Sequence, residues 1–145
     1  MYSLYKYIDT AGMERYKSLG KTFYKSAHVC VIVYDICSYE SFKNVDNWKR
    51  EFEEQNKNNA TILILGNKKD LNDKRAVMRV QFDKMKEKYG CQCFEVAANS
   101  NDEQMMQARE TIIDEVRKLD AEKDQEMENI LEEKKKDKQV ETCTC

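Results

Sequence analysis

Asp9-Thr10-Ala11-Gly12-Met13-Glu14-Arg15-Tyr16 is the stretch whose reading decides the fold. An aromatic and apolar run, Tyr2 to Ile8, leads into it and predicts a strand of β-favouring residues. That strand ends at an acid. Gly12 then lets the backbone turn sharply or come close to a ligand. An acid at the carboxyl end of a strand, followed by a glycine turn, is where open α/β sheets place ligands.

Downstream, strands and helices alternate. His28 to Tyr34 is a continuous apolar, β-branched run, which predicts a strand buried on both faces. Asp35 ends it, and Ser38 is placed to cap the next helix. That helix carries Phe42, Val45, Trp48 and Phe52 at three- and four-residue steps, so Trp48 reads as a packing residue. Ala60 to Leu65 is the next buried strand, and Gly66-Asn67-Lys68-Lys69-Asp70 follows at its carboxyl end. A polar loop, Asn72 to Arg75, precedes a helix from Val77 to Tyr89 with Gly90 as its cap. Cys91 to Val96 reads as a further strand, and Ser100-Asn101-Asp102-Glu103 has the form of a capping box. The last helix turns Met105, Ile112, Val116 and Leu119 inward. Strand and helix thus alternate about four times, which predicts a mostly parallel sheet with helices on both faces. Past Leu119, Glu, Lys, Asp and Gln dominate, so residues 120–145 read as a helix fraying into a solvated tail behind a domain at 1–119.

The 145 residues suit one domain with a real core. A formal net charge of −2 gives no basic bias and argues against a nucleic-acid partner. No apolar run is long enough to span a bilayer, and no signal-peptide pattern is present. The six cysteines read as reduced, and Cys91-Gln92-Cys93 lacks zinc-site spacing. His28, the single histidine, reads as structural.

Asp9 to Tyr16 resembles the DTAGQERY segment of small GTPases, most closely that of the Rab family, with Met13 at the Gln position. The resemblance implies that Asp9 holds Mg²⁺ through water and that the Gly12 amide meets the γ-phosphate of GTP. It also implies that residues 14–24 form a segment which reorders with the nucleotide. Asn67-Lys68-Lys69-Asp70 resembles the guanine-selecting NKxD motif. An Asp carboxylate accepts from the N1 imino and N2 amino groups of guanine, which adenine does not present together. The resemblance implies that Asn67 contacts the base edge and that the Lys68 stem packs on the ring. Glu95-Val96-Ala97-Ala98-Asn99 is similar to a degraded ETSAK motif, in which the Ala98 amide meets the guanine oxygen. Ala97 replaces the usual Ser and Asn99 the usual Lys, so this loop is expected to order less well. Tyr34 to Trp48 extends the likeness, and Cys143-Thr144-Cys145 is similar to doubly prenylated Rab ends.

The implied fold is α/β: a three-layer, mostly parallel sheet of the small-GTPase, or P-loop NTPase, type. The likeness begins at the family's third strand, so the chain reads as an N-terminally truncated member, missing its first strands and first helix. Glycines stand only at 12, 20, 66 and 90, so these residues build no G-x-x-x-x-G-K-[ST] phosphate loop, and switch I has no counterpart. GTP, GDP and Mg²⁺ are the implied ligands, held weakly or not at all. Met13 cannot orient water as Gln does, which implies slow hydrolysis, and without a phosphate loop the chain as written is expected to be catalytically inactive. Implied partners are Rab-type effectors, the prenylation machinery, GDP-dissociation inhibitor, and the cytosolic face of endomembranes through lipids on Cys143 and Cys145. Two alternatives stand beside the GTPase reading: a prenylated interaction protein without GTPase activity, and a non-functional gene fragment.

Overall fold

The computed structural model describes residues 8–9, 23–100 and 102–141. Ile8 and Asp9 are exposed and outside regular structure, so the strand expected at Tyr2 to Ile8 falls almost wholly outside the described residues. Residues 23–26 lie in a helix, α1. Then come β1 (Val29–Asp35), α2 (Tyr39–Gln55), β2 (Thr61–Asn67), a 3₁₀ segment (Lys69–Lys74), α3 (Arg79–Tyr89), β3 (Gln92–Glu95) and α4 (Glu103–Glu141).

The three strands are parallel, in the order β1-β2-β3. Val31 stands opposite Leu63, and Leu63 opposite Gln92. Consecutive parallel strands need a crossover, and α2 and α3 supply the two crossovers here. Even-numbered side chains of β1 and β2 meet those helices. Ile32, Tyr34, Ile36 and Ile64 form one buried cluster with Val45 of α2 and Phe82 and Met85 of α3. Leu63 is buried on the opposite face, where α4 lies against the sheet. Thr61 there donates its hydroxyl to Glu115 of α4 at 2.7 Å. Helix, sheet and helix make the three layers the sequence predicts.

Several local expectations hold. Ser38 caps α2, accepting from the Ser41 amide. Gly90 closes α3 in the left-handed region at φ 61°, where a side chain would be strained. Others need correction. β1 is not buried on both faces: Val31 is 38% exposed and Val33 57%. β1 is an edge strand among the described residues, and α4 leaves its odd-numbered face partly uncovered. Trp48 is 38% exposed, so it packs only in part. The loop expected at Asn72 to Arg75 is largely a 3₁₀ segment that starts earlier, at Lys69.

The start of α4 differs as well. Its cap is Asp102, whose carboxylate accepts from the Met105 amide at 2.8 Å, and not Ser100. The Ser100 hydroxyl instead donates to the Ala97 carbonyl at 3.2 Å. A carboxylate suits the positive end of a helix better than a hydroxyl does. That hydrogen bond and the Lys69 ammonium hold the Asp102 carboxyl below its ordinary range. Past Leu119, α4 stays helical to Glu141, and residues 121–122 and 124–131 are exposed. Strong helix formers without Gly or Pro explain the continuation, whatever surface it buries. No helix among the described residues is long and apolar enough to cross a membrane.

Tyr34 is 1% exposed, and its hydroxyl has no hydrogen-bond partner among the described residues. An unpaired buried hydroxyl costs about 1–3 kcal/mol. Tyr34→Phe is therefore expected to raise stability by about 1 kcal/mol, seen as a higher urea midpoint at unchanged slope. A lower midpoint would show that the hydroxyl is paired in solution.

Candidate base-recognition site

Parallel strands bring their carboxyl ends to one edge of the sheet. Asp35, Asn67 and Glu95 stand there, each the last residue of its strand. Asn67 joins the two loops that follow β2 and β3. Its Oδ1 accepts from the Lys68 amide at 2.8 Å and the Ala98 amide at 3.1 Å. Lys68 makes this possible by adopting the left-handed region at φ 68°. Backbone bonds reinforce the junction: Lys69 donates to the Val96 carbonyl at 3.0 Å and Val96 to the Gly66 carbonyl at 2.8 Å. The Lys69 ammonium adds an ion pair to Asp102 at 3.1 Å.

Asp70 lies in the 3₁₀ segment, and its Oδ2 accepts from the Asn99 side-chain amide at 3.3 Å. The turn from Ala97 to Ser100, closed by the Ser100 amide on the Ala97 carbonyl at 3.0 Å, places Asn99 there. Lys68 Nζ meets Asp35 Oδ2 at 2.5 Å, while Asp35 Oδ1 accepts from the Cys37 amide at 2.8 Å. Partial burial pushes the Asp35 carboxyl up, but Lys68 and the Cys37 amide outweigh it and hold it below the ordinary range.

Beneath these loops sits Glu95, 1% exposed. Arg75 grips it with two bonds, at 2.7 and 2.9 Å, and Arg79 adds a third contact. Burial raises the Glu95 carboxyl, but the two guanidinium groups outweigh it and hold it below its usual value. Arg75 also bonds the Asn72 carboxamide at 2.8 Å and the Val77 carbonyl at 3.0 Å. It thereby ties the end of β3 to the 3₁₀ segment that carries Asp70.

Four of the residues singled out in sequence, Asn67, Lys68, Asp70 and Ala98, thus come together at one edge. Asp9 is exposed, and Gly12, Met13, Cys143 and Cys145 lie outside the described residues. The sequence reading did not single out Asp35, Arg75, Arg79 or the role of Glu95. Signals existed: Asp35 is an acid at a strand end, as Asp9 is, and Glu95 is an acid within an apolar run, where a charge needs a partner. Two open clefts, of about 400 and 290 Å³, include none of Asn67, Asp70 and Ala98 in their walls.

The donor set suits a purine edge that offers donors and a carbonyl. Asp70 supplies a carboxylate, and the loop at Ala98 supplies a backbone amide. Among the described residues no three His, Cys, Asp or Glu side chains converge as metal ligands.

Residues 3–118 match the model of the Ras family. The chain is 41% identical over 93 residues to Ras-related protein Rab-8A of Gallus gallus, covering 64% of this chain and 45% of that protein. It is 39% identical to Ras-related protein Rab-13 of Mesocricetus auratus, covering 64% and 46%. Against Rab-8B of Homo sapiens it is 40% identical, covering 64% and 45%. The chain therefore spans just under half the length of the curated relatives it matches. With its parallel sheet, helices on both faces and polar loops at the strand ends, the chain belongs to the Ras family and is Rab-like by descent.

Proposed function

We propose that this chain recognises guanine through Asn67, Lys68, Asp70 and Ala98, and serves membrane traffic as Rab proteins do. The observation that carries the reading is the junction of the two loops, in which Asn67 bonds the Ala98 amide while Asp70 stands on the neighbouring turn. Asp70 is the discriminating residue, since its carboxylate matches paired donors that adenine lacks. The 145 residues supply no glycine-rich phosphate loop, so phosphates add little to affinity. A few base contacts, after the cost of association, support binding no tighter than roughly micromolar to millimolar. A thioether at Met13 does not orient water, so hydrolysis of GTP is slow or absent.

Residues 120–145 act in this reading as a helical spacer to a membrane, with lipids on Cys143 and Cys145. Effectors, the prenylation machinery and GDP-dissociation inhibitor are the proposed partners, on the cytosolic face of endomembranes. The likeness to Rab proteins and the Cys-Thr-Cys sequence support this part.

Calorimetric titration with guanosine, GDP and adenosine tests the reading. Guanosine is expected to bind at least tenfold tighter than adenosine, and Asp70→Ala to erase the difference, because each bond to a charged group is worth about 1.5–3 kcal/mol. GDP is expected to exceed guanosine by less than tenfold. Equal binding of guanosine and adenosine to the unaltered chain refutes guanine recognition.

A further inference from the structure

We infer that Asn99 is an internal competitor for the guanine edge, its carboxamide holding the Asp70 oxygen that reads the base. The inference rests on the guanine reading above and adds to it a residue that sets how tightly the base is held.

The polar groups around the expected base position are engaged within the protein, Asp70 through one of its two oxygens. The Asp70 acceptor takes the Asn99 amide at 3.3 Å. The Ala98 amide, the donor for a base carbonyl, goes to Asn67 Oδ1 at 3.1 Å. The Lys68 ammonium goes to Asp35. A side-chain NH₂ is the same kind of donor as the exocyclic amino group of guanine, so Asn99 satisfies Asp70 in the ligand's manner.

The three contacts differ in how readily they give way. The Asn67 contact is anchored at a strand end and shared with the Lys68 amide, so breaking it disturbs two loops. Lys68 and Asp35 form a charged pair that the half-buried Asp35 also anchors through Cys37. Asn99 and Asp70 are both exposed, Asn99 carries no charge, and 3.3 Å is at the long end for such a bond. Asn99 is therefore the contact a ligand displaces first. Guanine entering the site exchanges one hydrogen bond to Asp70 for another and gains only the remainder. Removing the competitor returns about the worth of one exposed hydrogen bond, roughly fivefold in affinity.

Guanosine and adenosine, free of phosphates, are the probes. Asn99→Ala is expected to bind guanosine about fivefold tighter than the unaltered chain, with adenosine unchanged. Its melting temperature stays the same, since the residue is exposed. In the unaltered chain, guanosine is expected to shift the NMR signals of the Asn99 side-chain amide. Equal affinity in Asn99→Ala overturns the inference. Weaker affinity overturns it too, and would make Asn99 a residue that holds Asp70 in position. The two readings fail separately. Binding that depends on Asp70 but ignores residue 99 sinks only the competitor. Loss of any preference for guanosine in the unaltered and Asn99→Ala chains sinks both.

Discussion

Glu95→Ala is expected to cost the chain about 3 kcal/mol of stability, read from the urea midpoint by circular dichroism. Removing one partner of a buried ion pair leaves a charge with neither water nor a counter-ion, at a typical cost of 3–5 kcal/mol. The lower end applies because Arg79 is largely exposed and regains water, whereas Arg75 is 14% exposed and does not. The loss also reaches the proposed site, since Arg75 links Glu95 to the segment that holds Asp70. Replacing both partners with apolar residues, Arg75→Met with Glu95→Leu, is expected to recover most of the stability, because desolvation then vanishes from both sides. A single Glu95→Ala change that moves the midpoint by less than 1 kcal/mol would count against a buried pair.

The same carboxyl gives a pH dependence with a definite sign. Arg75 and Arg79 hold it below its unfolded value, against the opposing push of burial. The folded state therefore binds fewer protons at this site than the unfolded state does. Its contribution is fully present above the unfolded carboxylate value, about pH 4.3. It is lost as pH falls through the folded value. Between about pH 5 and pH 3 the unaltered chain is expected to lose more stability than Glu95→Gln, whose residue 95 does not titrate. Parallel acid limbs for the two chains would remove the pair from the acid response.

Gly66→Ala is the second large effect, expected at about 3 kcal/mol. A Cβ built at Gly66 falls 2.6 Å from the Tyr34 hydroxyl oxygen, 2.7 Å from Cζ of that ring and 3.2 Å from Ile36 Cγ2. The ring is fully buried and flat, so it cannot swing aside without displacing the cluster it belongs to. Overpacking of this kind costs about 1–3 kcal/mol, and sometimes more. Shortening the neighbour should relieve it. In a Tyr34→Leu background the alanine is expected to cost less than half as much, a coupling above 1 kcal/mol in a double-mutant cycle. Additive costs would show that the two positions do not meet. Gly66 immediately precedes Asn67, so the same overpacking is expected to disturb the junction of Asn67 with the Ala98 amide.

How much was legible beforehand depends on the range of the interaction. Periodicity exposed the strands at Val29 and Thr61 and the helix at Tyr39, because alternation and apolar steps are local properties. Ser38 and Gly90 were legible as caps for the same reason, each acting within four residues of itself. The choice of Asp102 over Ser100 was not, because the winning acid is favoured partly by Lys69, thirty-three residues away. Glu95 was visible as an acid in an apolar run, but its partners Arg75 and Arg79 lie twenty and sixteen residues earlier. The exposed face of β1 was hidden too, since burial of Val31 and Val33 depends on where α4 crosses the sheet and not on their own apolar character.

Taken alone, the order of residues determined the element types, the parallel α/β arrangement, and the positions of Asn67, Lys68, Asp70 and Ala98 after their strands. Those are consequences of local backbone preference and of motifs short enough to read along one line. Only the tertiary structure decided which groups satisfy one another at that edge: Asn67 with the Ala98 amide, Asn99 with Asp70, Lys68 with Asp35, and Glu95 with its two arginines. Hydrogen bonds and ion pairs act over a few ångströms in space, and folding sets those distances among residues far apart in the chain.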